Sequence, residues 1–134
     1  MSADIERLYQ EIGQESLAVA TDLQGKLLVY AEVEGEGVSV SLFYEKGAER
    51  RVTFEYCSEE LIQRIYLFWT KWKLEPGNAE WRAMAYLVQK DGHFDIDFTY
   101  PDQIAPDEGL PVRRTRAIAK YFGDVKVYFP KPKP

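Results

Sequence analysis

Few residues in this chain have the types and spacing that chemistry needs. His93 is the only histidine and Cys57 the only cysteine. Cys57 stands just before Ser58-Glu59-Glu60, which reads as the start of a helix, and a helix N-terminus lowers a thiol pKa. A Cys57–His93 nucleophile pair is therefore one reading; a packed thiol and an ordinary turn histidine is the other. Asp95 and Asp97 flank Ile96, so on a strand both carboxylates leave the same face, about 7 Å apart. That spacing suits a divalent cation or an acid pair, an acidic strip for a partner, or a solvated strand face. Arg113, Arg114, Arg116 and Lys120 could grip phosphates or line a solvated helix. Trp69, Trp72 and Trp81 fall on apolar faces, where core packing is the default and a binding hot spot the alternative. No Gly-rich phosphate loop, Walker lysine or nucleophile elbow is present. A single cysteine forms neither an internal disulfide nor a cysteine-based zinc site. The expectation is a chain with no catalytic residues, no metal and no cofactor.

Charge separates along the sequence. The 134 residues carry a net charge of −5, and residues 1–49 hold ten acidic against three basic side chains. A second acidic stretch, Asp91 to Glu108, has six carboxylates and no Lys or Arg; the basic cluster Arg113 to Lys120 follows at once. Such a surface favours a basic protein partner over direct nucleic-acid binding. The apolar runs are far below the roughly 20 residues that span a bilayer, and residues 2–14 are too charged for a signal peptide. A cytoplasmic address with no membrane contact is expected.

The elements that must position these groups follow from periodicity. Ile5, Leu8, Tyr9, Ile12 and Val19 recur at three- and four-residue spacing, predicting a helix over residues 2–20. Residues 26–34, 38–45 and 50–56 alternate and are separated by glycine turns, which predicts an antiparallel meander. Leu27, Val29, Ala31 and Val33 are expected to share a face with Val38, Val40 and Leu42, and with Val52, Phe54 and Tyr56. Ser58 is a predicted N-cap for a central helix reaching residue 74, stopped by Pro76-Gly77-Asn78. Two further strands, residues 81–89 and 93–100, are joined by Lys90-Asp91-Gly92, a hairpin signal. In the second of them Phe94, Ile96, Phe98 and Tyr100 are expected to point inward. Pro111 opens a third helix that ends at Gly123, and residues 125–129 could close the sheet. The fold class is therefore α+β: one antiparallel sheet of five or six strands packed with three helices, one sheet face wet and one covered. A single domain is expected over residues 1–129, followed by a disordered tail at 130–134.

The order of these features resembles the YezG-like antitoxin, or immunity-protein, family. The resemblance runs from about residue 4 to 122 through Leu8-Tyr9-Gln10-Glu11-Ile12, Val29-Tyr30-Ala31-Glu32-Val33 and Phe43-Tyr44. Its densest part is Asp91-Gly92-His93-Phe94-Asp95-Ile96-Asp97-Phe98-Thr99-Tyr100, followed by an Arg-rich helix ending in Tyr121-Phe122. His93 stands where a lysine is common in that family. The resemblance implies a bacterial cytoplasmic protein that neutralises a cognate toxin, often a nuclease, by direct binding and without catalysis. The expected partner surface is formed by outward strand residues Glu32, Glu34, Asp95 and Asp97 with loop residues Asp102, Asp107 and Glu108. The alternative is a general protein-interaction or adaptor domain that binds through an apolar patch around the central helix.

Overall fold

The computed structural model describes residues 3–130. Three helices and five strands follow in the order α1 (Ala3–Val19), β1 (Leu23–Glu34), β2 (Gly37–Lys46), β3 (Arg51–Glu55), α2 (Glu59–Leu74), β4 (Ala83–Gln89), β5 (Phe94–Thr99) and α3 (Leu110–Phe122). The strands form one antiparallel sheet in the order β3-β2-β1-β4-β5. The class is α+β, as expected. Of the predicted tail, residues 131–134 lie outside the described residues.

Local signals set several boundaries. Ser58 Oγ accepts the Leu61 N–H at 3.2 Å, capping α2, and the helix ends at Leu74, with Glu75 as its C-cap just before Pro76. Two tryptophans then tie down the α2–β4 connection: Trp69 Nε1 donates to the Trp81 carbonyl and Trp72 Nε1 to that of Ala79. The β4–β5 hairpin forms at Asp91-Gly92, where Gly92 takes a φ of +94° that an L side chain rarely adopts.

One sheet face packs Leu27, Val29, Leu42, Tyr44, Met84 and Tyr86 against Ile5, Leu8 and Ile12 of α1 and Leu61, Ile65 and Phe68 of α2. The opposite face differs from the expectation of a wet surface. There Leu28, Tyr30, Phe43, Val52, Ala83 and Ala85 form a second core, packed against Ala117, Ile118, Tyr121 and Phe122 of α3. Ala83 and Ala85 are small, which leaves room for a helix, and residues 27–33 of β1 are consequently buried on both faces.

Two further expectations are corrected. Val52 and Phe54 do not share the face of Leu27: Phe54 pairs with Phe43 and joins the second core, while Tyr56 lies beyond the strand end and is 57% exposed. The turn between β2 and β3 uses positive φ at both Gly47 and Arg50, and a one-residue change of register sends every side chain to the other face. Residues 125–129 do not form a full strand. Tyr128 alone makes a parallel bridge to β3, donating its N–H to the Val52 carbonyl and accepting from Phe54 N–H, both at 2.9 Å.

Candidate functional site

The predicted acidic surface divides in two once the chain is folded. α3 lies across the second sheet face with its basic residues over the acids of β1, β5 and the preceding loop. Glu32, expected to face outward, is 5% exposed, and Arg113 grips it through Nε at 2.8 Å and Nη2 at 2.7 Å. Tyr30 Oη donates to the same carboxylate at 2.7 Å, and Arg113 also donates to the Glu108 carbonyl. Burial alone would raise the Glu32 pKa, but the hydrogen bonds from Arg113 and Tyr30 and the Arg113 charge hold it below its ordinary value. The hydrogen bonds to Glu32 in turn raise Arg113, and burial together with the Glu32 carboxylate raises Tyr30. Glu32 is thus a structural residue that anchors α3, because a buried charge is tolerated only when paired and hydrogen-bonded.

Other predicted contact residues are also engaged. Glu34 is exposed and bridged to Arg82 at 2.9 Å, Asp97 to Lys120 at 2.9 Å, and Glu108 to Arg116 at 2.7 Å. Arg114 Nη1 donates to Ser41 Oγ at 3.3 Å. The basic cluster of α3 that could have gripped phosphates therefore faces acids and hydroxyls of its own chain. Asp95, Asp102 and Asp107 are exposed and have no cationic partner within 4 Å among the described residues. Register places Asp95 opposite Leu87 and Asp97 opposite Ala85, so both aspartates share one face of β5 as expected.

On the other face of β5, Phe98 packs between Trp72 and Trp81, with ring centroids 4.9 and 5.4 Å away. Phe94 stacks on Tyr86 at 5.5 Å and lies 6.1 Å from the Tyr9 ring of α1, yet remains 40% exposed on the edge strand β5. The row points inward as expected but is covered unevenly. Trp69 and Trp81 are core residues.

The Cys57–His93 pair is not assembled. Cys57 follows β3 and His93 precedes β5, at opposite edges of the sheet and separated by four strand spacings, about 19 Å. Burial, with the nearby Glu55 charge, pushes the Cys57 thiol up to about 12, outweighing any effect of the helix N-terminus. Among the described residues no group of three or more His, Cys, Asp and Glu side chains is placed to hold a metal ion, and no helix is long and apolar enough to cross a membrane.

Of two further surface features the first was not anticipated, and the second lies where an apolar patch around the central helix was expected. At the β3 edge Phe54, Tyr56 and Phe129 cluster beside Tyr128, whose ring lies 5.2 Å from the Arg51 guanidinium, next to an open groove of about 1270 Å³. The run Tyr128-Phe129, within the segment expected as a possible closing strand, was the available signal. On α2, Leu67 is 43% exposed beside Ile62, Tyr66 and Val38 in a shallow apolar groove.

No protein-family model matches the chain, and no curated protein matches it significantly.

Proposed function

We propose that this chain is a non-catalytic binding protein of the immunity-protein kind, neutralising a cognate basic toxin, such as a nuclease, by stoichiometric contact. The observation that carries this reading is the residual acidic surface. α3 neutralises Glu32, Asp97 and Glu108, yet Asp95 on β5 and Asp102 and Asp107 in the loop after it stay exposed with no cation within 4 Å among the described residues. An uncompensated acidic patch raises the encounter rate with a basic cleft and disfavours acidic partners. The basic residues of α3 face acids and a hydroxyl of the chain itself, which disfavours their use in holding a nucleic acid. The resemblance to YezG-like proteins points the same way. The reading is tested by co-expressing the chain with the toxin domain of its genomic neighbour. A 1:1 complex that abolishes toxicity is expected; a chain that stays free and leaves the cells unprotected refutes it.

The apolar groove at Val38, Ile62, Tyr66 and Leu67 favours a second reading, an adaptor that docks a partner on α2. Leu67→Glu would then abolish partner capture, whereas in the immunity reading it leaves protection intact.

A further inference from the structure

The sheet ends at β5, and among the described residues nothing pairs with its outer edge. The direction of its backbone groups can be worked out. Gln89 N–H donates to the His93 carbonyl and Arg82 N–H to the Thr99 carbonyl, each at 2.8 Å. Backbone groups of the odd-numbered residues 93–99 therefore face β4, and by alternation those of Phe94, Ile96 and Phe98 face away from the sheet. The opposite edge is different, since Val52 and Phe54 of β3 already engage Tyr128.

We propose that the open edge of β5 is a strand-docking site whose occupant is an extended segment of the partner, alternating basic and apolar residues. This deepens the binding-protein reading and rests on it. A strand added there gains main-chain hydrogen bonds from three outward residues, and its side chains alternate across the same two faces as those of β5. On one face they meet Asp95 and Asp97, for which Lys120 is the only cation within 4 Å among the described residues. On the other they meet Phe94 and the rim formed by Tyr9 and Trp72. Basic residues fit the first face and apolar residues the second. The same aspartates exclude a second copy of this chain: antiparallel β5–β5 pairing brings the aspartates of both copies together, and like charges facing one another across strands are destabilising.

The test uses the full chain, isotope-labelled for NMR, titrated with a short synthetic peptide alternating lysine and valine. Saturable shifts are expected at the amides of Phe94, Ile96 and Phe98. The same peptide with glutamate for lysine, or N-methylated on its docking edge, should give none. Asp95→Lys with Asp97→Lys should weaken the lysine peptide by at least about tenfold. Ile96→Pro removes one outward N–H at an edge position that tolerates proline, and should abolish docking with the circular dichroism unchanged. Absence of saturable shifts, shifts confined to α2 or to Tyr128, equal binding of the N-methylated peptide, or self-association through β5 would each overturn the proposal. Docking of the peptide by a chain that captures no toxin refutes the immunity reading alone. A toxin complex in which the amides of 94, 96 and 98 exchange as in the free chain refutes the docking edge alone.

Discussion

Replacing Arg113 by methionine tests whether α3 is held by charge or by its apolar residues. The substitution keeps most of the buried stem but leaves the Glu32 carboxylate, 5% exposed, with only the Tyr30 hydroxyl as a hydrogen-bond donor. Removing one partner of a buried ion pair costs about 3–5 kcal/mol, against roughly 0–1 kcal/mol for a surface pair. For a domain of this size the loss corresponds to a fall in Tm of about 10–20 °C, a large share of a total stability of roughly 5–15 kcal/mol. Urea unfolding of Arg113→Met, Glu32→Leu and the double variant measures the coupling. The double variant should recover most of the loss, because an apolar pair in place of a buried ion pair is often neutral or stabilising. The pH dependence adds a sign. In the native chain Glu32 is held below its ordinary 4.5, so its contribution is present above that value and lost as pH falls through the lower folded pKa. In Arg113→Met burial raises the stranded carboxylate, so acid relieves the strain as pH falls through that raised value, and the gap to wild type begins to narrow above pH 4.5 and narrows further below it as the wild-type contribution is lost. A single-variant cost under about 1 kcal/mol, with no coupling to Glu32, would refute the reasoning.

Reversing Asp95 and Asp97 to lysine should cost little stability, since the Asp97–Lys120 pair is exposed and such pairs contribute about 0.2–1 kcal/mol. Stopped-flow association with a basic toxin should slow, and the defect should shrink once salt brings the screening length to about 8 Å or below; an unchanged low-salt association rate counts against these residues. Cys57 should react with iodoacetamide far more slowly than a free thiol at pH 8, because a rise from 9.0 to about 12 leaves about a thousandfold less thiolate; rapid alkylation without unfolding would show the thiol to be accessible. Gly13→Ala should destabilise by about 1–3 kcal/mol, as the added Cβ meets Tyr86 Oη at 2.6 Å while that hydroxyl is donating to the Tyr9 carbonyl; a thermal melt matching wild type would mean that Tyr86 can shift freely.

The parts of the fold carried by local rules were legible in the sequence. Period-two alternation and the Asp91-Gly92 turn gave the β4–β5 hairpin, Ser58 gave the start of α2, and Gly123 gave the end of α3. Where a face depends on the length of a turn, alternation alone cannot assign it; the turn at residues 47–50 sets Val52 opposite Glu45 and Phe54 opposite Phe43, away from Leu42. The second core was hidden for a different reason. Its strand positions Tyr30, Glu32 and Ser41 read as a wet face, and Glu32 and Arg113 are 81 residues apart, so nothing local marks them as partners. Only the adjacency of an acidic stretch and a basic helix hinted that the two would neutralise each other in the fold.

That neutralisation changes how an acidic surface should be inferred from sequence. Counting carboxylates treats Glu32, Asp95 and Asp97 alike, whereas folding buries the first, pairs the third and leaves the second exposed with no counter-ion among the described residues. The charge available to a partner is what remains after the chain's own cations have been placed. Here it remains beside the edge of β5, whose outward backbone groups also lack partners among the described residues. Two independent deficits, one of charge and one of main-chain hydrogen bonds, coincide on β5, and the proposed basic extended segment would satisfy both.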